Sequence, residues 1–214
     1  MTRVVAFVDG FNLYHAIHDL GRPHLKWVDL RRLVEAFAPR PQYVLTRVTY
    51  CSAFATWRPD AYRRHRTYVR ALDATGVVTL MGKFKEKERR CRACGASWKD
   101  HEEKETDVNL ALQQLDGAHR DLFDRALLIS GDSDLAPAVR MVKALYPSKE
   151  VRILMPPGRP YSMDLVNAAG PLSKARRIER LHLERALLPE EIVEPLTGKI
   201  VARRPTEYRP LDGA

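Results

Sequence analysis

Little in this chain is suited to cross-linking or to crossing a membrane. Its three cysteines cannot all pair with one another, and no run of about 18 apolar residues offers a membrane helix. The apolar stretch before Asp9, in MTRVVAFVDG, is too short for the core of an export signal. No internal repeat is visible. These absences exclude a secreted disulfide scaffold and a helical membrane protein, and the expectation is a cytoplasmic protein with reduced thiols. What is present is a 214-residue chain, 45% hydrophobic, enough for one domain with a genuine core and too much for wholesale disorder. Its 36 Lys and Arg against 27 Asp and Glu leave a net charge of +9, a field that favours polyanionic partners, nucleic acid first among them.

Apolar patterning organises most of the chain. RVVAFV over 3–8 is a continuous apolar run ended by Asp9-Gly10, the pattern of a strand covered on both faces. A helix is expected from Phe11, and another over 28–37, where Leu30, Leu33, Val34 and Phe37 share a face before Pro39 and Pro41 break the chain. Strands are expected over 43–50, 77–80, 126–130 and 151–155, and helices over 60–74, 106–115 and 134–145, with Thr106 as N-cap. Strands alternating with helices imply an α/β fold built on a parallel sheet of about five strands with right-handed crossovers. Residues 83–104 differ: they are dense in charge, lack an apolar period, and read as an inserted knuckle or loop. The division expected is a domain over 1–171 carrying that insertion, then a basic C-terminal segment and tail over 172–214.

Ligands of open α/β sheets sit beyond the carboxyl ends of the strands. Three segments send acids there: Asp9 to Asn12, Ser130 to Asp134, and the helix start at Asp107. Each has a structural reading, since Asp-Gly suits a turn, Asp107 suits a helix N-terminus and Ser133 suits a cap. Together, four carboxylates at one edge repel unless a cation neutralises them. With no His or Cys among these positions, hard, oxygen-seeking Mg²⁺ or Mn²⁺ is the expected ion.

The segments VVAFVDGFNLY, EKETDVNLAL and LLISGDSDLAPAV, in that order, resemble the NYN domain family, specifically its LabA-like branch, across roughly 3–170. The resemblance implies a Rossmann-like parallel sheet of the PIN-like nuclease kind and activity on RNA. It matches Asp9, Asp107, Asp132 and Asp134 to the acidic metal-binding positions, and Asn12 to the amide that follows the first acid.

Cys91-Arg-Ala-Cys94-Gly is half of a tetrahedral zinc site. Completing it needs two more ligands, for which His101 and Cys51 are the candidates. Cys51 reads first as a small buried strand residue and second as a ligand. The expected outcome is one structural Zn²⁺ that orders an otherwise coreless insertion. Arg58, Arg63, Arg64 and Arg66 are interleaved with Trp57, Tyr62, His65 and Tyr68, and Lys83, Lys85, Arg89 and Arg90 form a second basic set. A third runs through Lys174, Arg176, Arg177 and Arg180. Such runs are either solvated faces or a surface for a single strand, with phosphates on cations and bases on rings.

These readings lead to a metal-dependent endoribonuclease that hydrolyses phosphodiester bonds. RNA, single-stranded or structured, is the expected partner, DNA the lesser one, and self-association is left open. The alternative is an RNA-binding or regulatory protein of the same fold that cleaves nothing. A haloacid-dehalogenase-like phosphatase would need Asp-x-Asp, and Phe11 stands two residues after Asp9.

Overall fold

The computed structural model describes residues 1–170, 175–194 and 197–210. Its centre is a seven-stranded sheet: β1 (Thr2–Asp9), β2 (Tyr43–Ala53), β3 (Val78–Arg90), β4 (Ser97–Lys104), β5 (Arg125–Ile129), β6 (Glu150–Met155) and β7 (Arg176–Arg177). The strand order is β4-β3-β2-β1-β5-β6-β7. Every pair is parallel except β3 with β4. The chain therefore winds outward from β1 on one side and from β5 on the other. The order reverses between these two strands, whose ends align as Val8 beside Ile129.

Alternation along β1 divides the core. Val4, Ala6 and Val8 pack with α1 (Gly10–Asp19), α2 (Leu30–Glu35) and α3 (Pro59–Ala74) on one face. Val5 and Phe7 pack with α4 (Thr106–His119), α5 (Ala136–Leu145) and α6 (Met163–Ala169) on the other. Both faces are covered, which is why β1 and β5 are apolar at nearly every position. The first layer is extended by the C-terminal segment: α7 (Arg180–Glu184) and the β8 (Glu191–Val193)–β9 (Ile200–Arg203) hairpin. Ile178, Leu183, Leu188 and Tyr208 lie in the same cluster as Val4, and the buried Trp27 indole donates to the Pro189 carbonyl at 2.8 Å. The expected division between 171 and 172, and Lys174, lie outside the described residues.

The largest departure from expectation is at 83–104. This stretch is an antiparallel hairpin in continuous register from Lys83 opposite Lys104 to Arg90 opposite Ser97. It has no apolar period because both faces of its outer half meet solvent. Cross-strand charge holds it instead, through Arg89–Asp100 at 3.0 Å, Lys99–Glu86 at 2.9 Å and Lys87–Glu102 at 3.7 Å. The helix that follows is capped by Glu105 at φ 82°, with Thr106 already inside its first turn. A left-handed backbone at a non-glycine residue is uncommon and costs energy. Here it turns the chain sharply from β4 into α4. Likewise, the helix expected from 134 begins as a 3-10 turn over Ser133–Leu135 before α5.

Candidate functional site

Asp9 ends β1 and caps α1. It is 4% exposed, its Oδ1 accepts from the Asn12 N–H at 3.0 Å, and its Oδ2 accepts from the Ser130 hydroxyl at 2.8 Å. Ser130 follows β5, and its Oγ in turn accepts from the Asp132 N–H at 3.0 Å. Asp132 caps the next turn by accepting from the Asp134 N–H at 2.9 Å. Asn12 Oδ1 accepts from the Gly131 N–H at 2.9 Å, which fixes its amide orientation and turns its NH₂ away from that bond. The two strand ends that meet at the reversal of the sheet are thus tied directly. Gly131 keeps this join close, since a Cβ there would lie 3.1 Å from the Met155 methyl, which would have to shift slightly, and 3.4 Å from Asn12 Oδ1.

Asp107 comes from the first turn of α4. Burial, then the charges of Asp9, Asp132, Glu103 and Asp134, push its carboxyl up to about 6. Asp9 is also raised to about 6, by burial first and by Asp132 and Glu103, against the opposing Asn12 N–H and Ser130 hydroxyl. Asp107, Asp132 and Asp134 are thus within Coulombic range of Asp9 or of one another. None of the four forms an ion pair with Lys or Arg among the described residues.

Glu103 joins this group although nothing in the sequence singled it out. It lies on β4, opposite Phe84, and its Oε1 accepts from the Thr106 N–H at 3.0 Å and from the Thr106 hydroxyl. Reading 83–104 as a loop hid it. The available signal was its place in the Glu102-Glu103-Lys104-Glu105 run directly before Thr106-Asp107.

The donor set is oxygen only, which fits Mg²⁺ or Mn²⁺ chemically. The spacing is open: among the described residues, no group of three or more His, Cys, Asp or Glu side chains is gathered closely enough to hold an ion. The zinc site expected from Cys91, Cys94, His101 and Cys51 is not assembled. Cys91 and Cys94 are free thiols in the turn between β3 and β4, where the Cys91 N–H donates to the Ala96 carbonyl at 2.8 Å. His101 stands opposite Glu86, five residues along the strand from Cys91 or roughly 17 Å away at strand rise. Its ring lies flat on Trp57 at 3.7 Å. Cys51 is fully buried in β2 beside Asp9 and Leu80, and burial pushes its thiol up to about 12, so it is a neutral core residue.

The basic residues are distributed less simply than their runs in sequence. Arg58 is exposed at the N-terminus of α3, and Arg66 lies over the Tyr62 ring at 5.4 Å. Arg63 pairs with Asp60 at 2.9 Å, Arg64 with Glu207 at 3.0 Å, Lys83 with Glu105, and Arg89 with Asp100. Arg90 donates to the Gly95 carbonyl at 3.3 Å, and Lys85 is exposed on β3. A cavity of about 430 Å³ opens between α1 and α3 and reaches from Glu103 and Gly10 to Tyr208. Rings make up much of its wall.

No helix among the described residues is long and apolar enough to cross a membrane. A protein of unknown function from Vibrio parahaemolyticus has a similar fold, with a TM-score of 0.54 over 87% of this chain and 96% of that one at 20% identity. The chain is 28% identical over 178 residues to 6-hydroxy-3-succinoylpyridine 3-monooxygenase HspA of Pseudomonas putida, spanning 66% of this chain and 56% of that relative. The family model of the NYN domain matches residues 3–172. With its motifs at the joined ends of β1 and β5, this chain belongs to the NYN domain family.

Proposed function

We propose that this chain is a metal-dependent endoribonuclease that acts on RNA in the cytoplasm, with Asp9, Asp107, Asp132 and Asp134 holding Mg²⁺ or Mn²⁺. The observation that carries this reading is the placing of four carboxylates, with Glu103 beside them, within Coulombic range at the reversal of the sheet, without a Lys or Arg among the described residues to neutralise them. Family membership supports a nuclease-like fold and a nucleic-acid partner. A bound divalent ion supplies Lewis acidity that activates water and offsets charge at the scissile phosphate. The chain's own part is positioning. Ser130 and the Asn12 N–H hold Asp9 in one orientation, and the Gly131 N–H holds the Asn12 amide so that its NH₂ can donate to a phosphate oxygen without adding charge. Exposed Arg58 and Lys85 extend this surface with phosphate-binding cations.

Incubating the chain with labelled RNA and DNA panels, with Mn²⁺ or with EDTA, tests the reading. Metal-dependent shortening of RNA is expected, and loss of it in Asp9→Asn and Asp132→Asn. RNA that is bound but never shortened would leave the silent RNA-binding alternative in place. A second reading, oxygenation of a small aromatic ring, draws on the name of the Pseudomonas relative and on the ring-lined cavity beside the acids. It requires O₂ uptake with a reductant, which hydrolysis does not.

A further inference from the structure

The cavity beside the acids has a composition that the hydrolysis of a phosphodiester does not itself require. Its floor is β2, at Tyr50 and Ser52, and its walls are the Phe11 and Tyr14 rings of α1 and the His65 and Tyr68 rings of α3. At the mouth the Trp57 indole stands edge-on to Phe84 at 4.6 Å, and Phe84 edge-on to Phe11 at 5.5 Å. With His101 flat on Trp57, four rings from three separate elements and a loop form one frame. Trp57 is 39% exposed in that frame, which leaves part of its indole open to a stacking partner.

Two features link this frame to the carboxylates. Gly10 and Phe11 directly follow Asp9, and Glu103 lines the cavity while its charge acts on both Asp9 and Asp107. Gly10 is also what allows the floor to form, since a Cβ there would lie 2.6 Å from the Tyr50 ring. The volume lies within the range of roughly 300–1,000 Å³ typical of pockets that enclose a small ligand.

The polar groups inside are few and, apart from Glu103 at the end nearest the acids, uncharged. The Tyr50 hydroxyl meets His65 Nε2 at 3.2 Å, and burial lowers the His65 imidazole to about 4, so it stays neutral near pH 7. Cations sit at the edge instead, as Arg58, Arg64 and Lys26, the last 4.9 Å above the Tyr14 ring. The fitting ligand is therefore a planar, uncharged ring system with hydrogen-bonding edges, attached to an anionic group that stays outside. An acid cluster next to the opening disfavours any ligand whose ring carries its own carboxylate.

We propose that this cavity receives the nucleobase next to the scissile phosphate, swung out of the strand and stacked at the Trp57–Phe84 frame. Single-stranded RNA is characteristically read in this way, by splayed bases against aromatic rings. The inference rests on the nuclease reading, and it makes the cavity the element that selects where the strand is cut. Base selection then comes from Ser52, His65 and Glu103 at the ring edges, and strand position from Arg58.

The test uses the full chain in two arms. In EDTA, calorimetry measures binding of the four nucleoside monophosphates, of ribose 5-phosphate, and of a phosphate-free pyridine. With Mn²⁺, cleavage is mapped on one RNA and on the same RNA with a single abasic site beside the preferred cut. Base-dependent binding is expected, weakened roughly ten-fold by Trp57→Ala or Phe84→Leu, with cleavage at the abasic position reduced to the same degree. If RNA is cut equally well at the abasic site and by both variants, the cavity proposal fails while the nuclease reading stands. Base-dependent binding without any cleavage would defeat the nuclease reading and, with it, the placing of the base beside a scissile phosphate, leaving only a base-binding cavity. Binding of the pyridine but of no nucleotide would overturn the proposal in favour of a small aromatic substrate.

Discussion

At the ends of β1 and β5 an acid is buried and pinned by two hydrogen bonds from opposite sides of a strand junction; at the tip of the β3–β4 hairpin two thiols stand at the surface of a turn whose backbone bonds are internal to it. Both places carry residues that metals favour. The first is assembled from segments more than a hundred residues apart in sequence, brought together by parallel pairing. The second is assembled from four consecutive residues and has only its own ladder beside it. Sheet topology brings additional carboxylates to the first, whereas the second would have to find partners outside its hairpin. The comparison shows why a ligand motif read from spacing is weaker than one read from strand order.

The strongest way to break this comparison is to remove charge at the junction. Asp9→Asn and Asp132→Asn are each expected to lower cleavage roughly a hundred- to a thousand-fold, because each loses a carboxylate and keeps the cap. Full activity in both would dismiss the junction as the metal site. Asn at position 9 removes the cost of burying a charge and, after that, the repulsion from Asp132 and Glu103, so the metal-free variant should be more stable than the parent at pH 7, by on the order of 2 kcal/mol. Thermal unfolding in EDTA measures it.

pH sharpens the same point. Asp9 and Asp107 are raised to about 6, above the usual carboxylate range near 4, so their protonated forms favour the folded state. Their contribution is fully present below about 4 and is lost as pH rises through about 6. Unfolding of the metal-free chain should show a component that destabilises across this window and shrinks in Asp9→Asn. Mn²⁺ affinity should rise across the same window, since ions compete with these protons. A flat profile in both measurements would show that the two acids titrate normally.

Glu103→Gln keeps an acceptor for Thr106 and removes one charge from the group. A roughly ten-fold loss of Mn²⁺ affinity is expected, and an unchanged affinity would confine Glu103 to a structural role at the β4–α4 turn. RNA binding should weaken steeply between low and moderate salt as phosphate neutralisation releases counterions. A salt-independent affinity would remove Arg58 and the hairpin cations from the interface.

The smallest effect belongs to the hairpin tip. Cys91→Ser with Cys94→Ser should leave unfolding within about 0.5 kcal/mol of the parent, as for other exposed surface changes. The ladder from Lys83 to Lys104 closes the hairpin without metal. Exhaustively dialysed protein should carry no stoichiometric zinc. One zinc for every two chains would break the comparison, because a second copy would then be completing the tetrahedron.

Much of the junction was legible in the sequence, and for a physical reason. Strands covered on both faces are continuous apolar runs, so β1 and β5 stand out, and the acids that end them are conspicuous by contrast. The hairpin was not legible, because strands exposed on both faces carry no alternation and read as loop. Glu103 was lost with it. The C-terminal segment was hidden for another reason. Ile178, Leu183, Leu188 and Tyr208 are too widely spaced to form a period, although each fills a place in the core.

Asp9 and Asp132 each cap the turn that follows them, accepting backbone N–H groups from Asn12 and Asp134. Losing such a cap costs about 1 kcal/mol whatever the protein does. A descendant that had given up its chemistry would therefore still be selected to keep a capping side chain at these two positions, which Asn supplies as well as Asp. Asp107 and Asp134 accept no hydrogen bond through their side chains among the described residues, so only their first-turn position favours a carboxylate there. In comparing members of this family, the two uncapped acids are the better record of which lineages still work as enzymes.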